Sequence, residues 1–114
     1  MAAPAAGQVV LIPFPYSDLS QYKVRPTVCL AVSVPNDVVM CQVTSNAYGD
    51  SKAVSLVDED FQSGGLDRMS FARPGKSLPS HSSIIIRDLG RLTSAATARL
   101  LAAVVEVFSD RTTR

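Results

Sequence analysis

Thr27-Val28-Cys29-Leu30-Ala31-Val32-Ser33-Val34-Pro35-Asn36-Asp37-Val38-Val39-Met40-Cys41-Gln42-Val43-Thr44-Ser45 contains two β-rich runs either side of a turn cluster. Pro, Asn and Asp between two runs of β-branched residues are the signature of a hairpin. The alternation also predicts its register. With Ser33 opposite Val38, Leu30 faces Cys41, Val28 faces Val43 and Val32 faces Val39, so the apolar residues share one face. A slip of one residue would mix the faces. In this register Thr27 lies opposite Thr44, and Arg25 is the diagonal neighbour of Thr44 on the same face, roughly 7–8 Å away at the backbone. Pro26 biases Arg25 toward extended geometry. A permanent cation and a hydroxyl therefore meet on the polar side of an otherwise apolar hairpin. That pairing suits a phosphate ester, because the guanidinium fork matches phosphate oxygens.

Further short strands are expected outward from the hairpin. Gly7 to Ile12 reads as one, broken by a loop from Pro13 to about Tyr22, since prolines lack the donor a central strand needs. In that loop Phe14 is read as capping a small core. Tyr16 serves equally as core cap or as a base-stacking residue. Ala53 to Val57, Met69 to Arg73 (ended by Pro74-Gly75) and the β-branched run Ile84-Ile85-Ile86 are the other candidates. Gly64-Gly65 reads as a tight turn and lacks the spacing of a phosphate loop. Thr93 or Ser94 reads as the N-cap of a helix of about 16 residues. Leu101, Val104, Val105 and Phe108 would be its sheet-facing stripe, widened by Leu100 and Val107. Five or six strands and one C-terminal helix predict a mainly β fold, a small, partly open barrel with the helix packed on one side.

Composition narrows the function. The 114 residues are 46% hydrophobic with a net charge of +1. One domain spanning 1–114 is expected, with a core of about 7–109 and frayed tails at 1–6 and 110–114. A general nucleic-acid coat is absent, so any RNA contact must come from a local cluster. No apolar run is long enough for a membrane helix, and the N-terminus lacks the features of a signal peptide. A cytoplasmic, reducing setting is the expectation. Cys29 and Cys41 fall on opposite strand faces and read as buried free thiols, and with the single His81 they make no zinc set. Asp58-Glu59-Asp60 reads as a solvated turn or helix start rather than a metal site. No metal or cofactor is expected.

Around Arg25 and Thr44, Lys23 and Lys76 are candidates for phosphate contacts, with Arg73 or Arg87 beside them. Gln42 shares the parity of Thr44 and can hydrogen-bond a base edge. Ser45 and Asn46 lie at the strand end, and Tyr16, Phe14 and Tyr22 are the nearby aromatics.

Gly7-Gln8-Val9-Val10-Leu11-Ile12-Pro13-Phe14-Pro15, followed by Lys23-Val24-Arg25-Pro26, resembles the MazF/PemK toxins of type II toxin–antitoxin systems. Cys41-Gln42-Val43-Thr44-Ser45, Asp58-Glu59-Asp60-Phe61, Ser63-Gly64-Gly65-Leu66 and Gly90-Arg91-Leu92 follow in the family's order, so the likeness runs from about Gly7 to Phe108. It implies an SH3-like barrel, a homodimer, sequence-selective cleavage of single-stranded RNA, and inhibition by an antitoxin protein. It also implies that Arg25 and Thr44 are the catalytic pair, with a proton-transfer role for Arg25. The chain departs from the family at Gln8, where an acidic residue is usual. Two alternatives use the same barrel. One is a non-catalytic toxin acting by protein binding of the gyrase-poison type, through the C-terminal helix and tail. The other is a plain RNA-binding barrel.

Overall fold

The computed structural model describes residues 4–109. Seven strands form one antiparallel sheet: β1 (Gln8–Pro15), β2 (Tyr22–Val34), β3 (Asp37–Thr44), β4 (Val54–Leu56), β5 (Phe61–Gly64), β6 (Ser70–His81) and β7 (Arg87–Leu92). Their order is β4-β6-β3-β2-β1-β7-β5. The outermost strands, β4 and β5, each pair on one side only, so the curled sheet is a partly open barrel. A single helix, α1 (Ser94–Ser109), packs against β4 and β6. The mainly β architecture with a C-terminal helix is as expected.

The expected loop from Pro13 to Tyr22 is shorter than the prolines suggested. β1 runs on through Pro13 and Pro15, paired with Val24 and Tyr22. β7 accompanies β1 only from Gln8 to Leu11, so beyond that point β1 has one neighbour and its prolines forfeit no ladder bond. β6 extends past the expected end at Pro74-Gly75 for the same reason: its pairing with β4 stops at Ala72. Ile84-Ile85-Ile86 is not a strand. A 3-10 turn, Ser82–Ile84, carries Ile84 and Ile85 onto the core, and β7 begins at Arg87. The strand expected at Ala53 to Val57 shortens to Val54–Leu56.

The hairpin register holds at the turn, where Val34 pairs with Asp37. It then departs from expectation. Two irregularities, between Cys29 and Ala31 and between Val32 and Val34, each set two β2 residues against one in β3. Thr27 therefore pairs with Gln42, not with Thr44. Between the irregularities the displacement is one residue, and Val32 pairs with Val38 rather than Val39; beyond both it is two, which preserves facing because strand side chains alternate with period two. Arg25 stays on the face of Thr44. Carried two residues beyond the Thr27–Gln42 pair, the register sets Arg25 directly across from Thr44 rather than diagonal to it.

Both faces of the hairpin are buried, which the single-face reading did not anticipate. Val9, Val28, Leu30, Cys41 and Val43 join Leu56, Leu92, Ala96 and Leu100 in a core beneath α1. Val10, Ile12, Phe14, Cys29, Val38 and Met40 form a second cluster on the other face, covered by Leu78, Ile84 and Ile85. Phe14 is thus a core residue. The two cysteines are buried free thiols, one in each cluster.

Thr93 caps α1: its Oγ1 accepts from the N–H of Ala96 at 3.1 Å. The sheet-facing stripe is Ala96, Leu100, Ala103 and Val104. The expected stripe was rotated too far, since Leu101, Val105 and Phe108 are exposed. Small alanines let the helix lie close to β4 and β6, and hydrophobicity alone points to the larger side chains instead. Gly64-Gly65 is not the tight turn expected: Gly64 ends β5 as the cross-strand partner of Gly90, both with positive φ, and a Cβ on Gly64 would come within 2.1 Å of the Leu89 carbonyl. Of the expected frayed leader, Pro4 is buried and Gln8 N–H donates to the Ala5 carbonyl at 3.0 Å. Residues 1–3 and the tail 110–114 lie outside the described residues. Among the described residues no helix is long and apolar enough to cross a membrane.

Candidate functional site

Two clefts adjoin at the ends of β2 and β3, and both are lined by Arg25 and Tyr48. The larger of the two, about 430 Å³, holds Lys23, Arg25, Thr44 and Ser45 together with Arg68, Arg87, Gly65 and Leu66. The second, about 370 Å³, holds Tyr16, Gln42, Arg73 and Lys76 beside Arg25. Arg25, Thr44, Lys23, Gln42, Ser45, Tyr16, Lys76, Arg73 and Arg87, all singled out from the sequence, thus line these two clefts, whereas Asn46, Phe14 and Tyr22 line neither. Gln8, the departure from the family pattern, lines neither. His81 sits at the far end of β6, where its Nδ1 accepts from the Ser83 N–H at 3.1 Å.

Charge is concentrated here. Six of the eleven lysines and arginines, Lys23, Arg25, Arg68, Arg73, Lys76 and Arg87, line the two clefts, against Asp18 and Asp67. A chain of net charge +1 therefore presents one strongly cationic surface, and concave walls focus such a field.

Thr44 is 6% exposed yet lines the larger cleft, and its Oγ1 accepts from the Asn46 N–H at 3.3 Å. That bond leaves the hydroxyl proton available to a ligand. Arg25 is half-buried at the boundary of the two clefts. Thr27, one pleat inward on the same face, is fully buried and donates to the Val10 carbonyl at 3.2 Å, so it anchors the strand beneath Arg25.

The second cleft owes its lining to a distortion of β6. Cys41 pairs with Ser77 and Val43 with Ala72, so Arg73, Pro74, Gly75 and Lys76 bulge outward opposite the single residue Gln42. Ser77 Oγ closes the bulge on the Pro74 carbonyl at 2.8 Å. The bulge swings Arg73 and Lys76 toward the cleft, a use of irregular strands common beside binding sites. Lys76 Nζ donates to the Ser17 hydroxyl, tying the β1–β2 loop to the rim. Gln42 is 7% exposed and its Oε1 has no hydrogen-bond partner.

Tyr48 and Arg68 are the site residues that the sequence reading missed. Tyr48 has φ +56°, in a turn where its N–H donates to Asn46 Oδ1 at 2.8 Å. Arg73 lies over its ring, 5.4 Å from the centroid, and its Nε donates to Asp50 Oδ2 at 3.1 Å. The signal was an aromatic residue four positions after Thr44 in an Asn- and Gly-marked turn. Tyr22 is 70% exposed and lines neither cleft.

No protein-family model and no curated protein matches the sequence. Solved structures do. MazF from Deinococcus radiodurans aligns with a TM-score of 0.73 at 18% identity, over 96% of this chain and 100% of that one. The fold is that of MazF. An endoribonuclease from a mycobacterial species, TM-score 0.69 and 18% identity, covers 99% of this chain and 98% of its own. Another mycobacterial endoribonuclease, in complex with its cognate antitoxin, has TM-score 0.67 and 19% identity over 96% of each chain. The likeness to MazF extends over the strands that carry both clefts, and at these identities it is a likeness of fold.

Proposed function

We propose that the protein is the toxin of a type II toxin–antitoxin pair and a sequence-selective endoribonuclease acting on single-stranded RNA. The observation that carries the reading is the shared cleft of Arg25 and Thr44, set across neighbouring strands within the cationic lining. Likeness of fold to MazF endoribonucleases supports it. In this mechanism the substrate 2′-hydroxyl attacks the adjacent phosphorus and the P–O5′ bond breaks. The products are a 2′,3′-cyclic phosphate and a 5′-hydroxyl. The proton lost from O2′ is balanced by one gained at O5′. Arg25 holds a non-bridging phosphate oxygen, and Thr44 donates its hydroxyl to the same phosphate as charge builds. Preorganised donors of this kind are typically worth roughly 3–4 kcal/mol each in a shielded site. Lys23, Ser45 and Lys76 hold the flanking backbone, and Tyr16 is available for stacking. No metal takes part in this scheme. A homodimer and a cognate antitoxin with a flexible, partly acidic segment belong to the same reading, and a fold neighbour crystallised with its antitoxin supports the partner.

The exposed stripe of Leu101, Val105 and Phe108 favours the second reading, a toxin that acts by protein contact through α1. One experiment separates the two. Purified protein is incubated with a long RNA in EDTA and the new 5′ ends are mapped. The ribonuclease cuts in EDTA, and Arg25→Ala abolishes cutting. Growth arrest on expression without scission of any RNA would support the protein-binding toxin. Salt-sensitive RNA binding with neither scission nor arrest would identify a plain RNA-binding barrel.

A further inference from the structure

The second cleft contains a group that the cleavage scheme leaves idle. Gln42 is buried, lines the cleft, and its Oε1 has no partner. A buried acceptor without a donor is unfavourable, and a ligand that supplies one recovers that cost. Arg25, Arg73 and Lys76 line the same cleft as cationic donors, with Asp18 as its carboxylate. One wall is the Tyr48 ring, over which lies Arg73, itself paired with Asp50. The left-handed backbone of Tyr48 holds the ring out at the boundary of the two clefts, where it is 59% exposed. A flat aromatic and an unpartnered acceptor in one cleft with cationic donors are the complement of a planar group carrying an N–H next to a carbonyl.

We propose that this cleft binds one nucleobase of the RNA strand, next to the phosphate held at Arg25, and selects guanine or uracil. The inference rests on reading the clefts as an RNA site. The base stacks on Tyr48, a contact that any base can make. Selection comes from the edge. Guanine and uracil carry a ring N–H beside a carbonyl, so the N–H meets Gln42 Oε1 and the carbonyl oxygen meets a cationic donor. Adenine and cytosine carry the reverse order, an amino group beside an unprotonated ring nitrogen, so in the same pose a lone pair faces Oε1 and an N–H faces the cation. Sites built to hydrogen-bond a specific group reject analogues lacking it far more strongly than apolar pockets do. Gln42 is therefore the specificity residue, and Tyr48 with Arg73 forms the platform.

The test measures binding without cleavage. Short 2′-O-methyl oligonucleotides, which cannot cyclise, carry a single A, C, G or U among abasic positions. Wild-type protein is expected to bind the G and U strands about tenfold or more tightly than the A and C strands. Gln42→Leu and Gln42→Met, two apolar replacements of similar size, should bring all four within about twofold while leaving the salt dependence unchanged. Tyr48→Ala, an exposed position, should weaken all four by about tenfold. Equal binding of the four bases by the wild type, or a preference that survives both Gln42 variants, overturns the proposal. Mapping of 5′ ends on ordinary RNA is run in parallel. Cleavage without base preference sinks this subsite and leaves the ribonuclease standing. Base-selective binding without cleavage does the reverse.

Discussion

In the proposed mechanism Arg25 and Thr44 act together because of what each cannot do alone. The guanidinium offers a planar fork of donors that grips phosphate oxygens, but it accepts no hydrogen bond. The threonine hydroxyl is a weak acid whose use here is as a directed donor. Removal of either donor by Arg25→Ala or Thr44→Ala is expected to lower the cleavage rate by roughly 10²–10³, read in a single-turnover assay. Thr44→Ser should keep most of the rate, since it keeps the hydroxyl. Cys41 offers a separate prediction about stability. Burial pushes its thiol up to about 11 from 9.0, even though Ser77 and the Arg73 carbonyl pull the other way. The folded state thus prefers the protonated thiol, and the unfolded chain releases that proton first. Stability contributed by Cys41 is complete below about pH 9 and is lost as pH rises toward 11, on the order of 2–3 kcal/mol in total. Denaturant midpoints of wild type and Cys41→Ala, compared between pH 8 and 11, should converge as the pH climbs. An unchanged gap would contradict it.

At the scale of elements, irregular strands define the site more than regular ones do. Two irregularities in β2 move the hairpin register by two residues, and continued past the Thr27–Gln42 pair that register sets Arg25 across from Thr44. The bulge in β6 turns Arg73 and Lys76 toward Gln42. Hydrophobic alternation anticipated the face on which Arg25 and Thr44 meet, because facing depends only on parity. It did not anticipate the bulges, whose cost and benefit lie in contacts with β3 and the loops. The helix follows the same logic. Periodicity found α1 and its cap, but it chose the stripe with the largest side chains, while the sheet accepts the one with alanines at Ala96 and Ala103. Leu100, fully buried, and Phe108, 81% exposed, test the difference. Leu100→Ala is expected to cost about 2–5 kcal/mol in chemical denaturation, whereas Phe108→Ala should stay within about 0.5 kcal/mol. Reversed magnitudes would mean that the helix is docked on its other face.

For the whole molecule, the uneven distribution of charge governs partners. Six cations in two adjoining clefts on a chain of net charge +1 attract a polyanion locally and leave the rest of the chain net negative. An antitoxin segment carrying carboxylates would compete for that surface with RNA. If the proposed function holds, an antitoxin partner added to the purified protein should stop cleavage, and deletion of its acidic segment should restore it, with inhibition weakening as salt rises. Cleavage at an equal rate in the intact complex would refute the competition. Sequence alone determined the chemical inventory: a mainly β chain closed by one helix, two thiols unsuited to pairing, and an arginine and a threonine held to one face. Those conclusions follow from local periodicity and residue chemistry, which need no knowledge of distant neighbours. Tertiary structure decided which strand irregularities occur, which helix stripe is covered, and that Tyr48 and Arg68 join the clefts. Each of these depends on packing between segments far apart in the chain, where the fit of whole surfaces outweighs the preference of any single stretch.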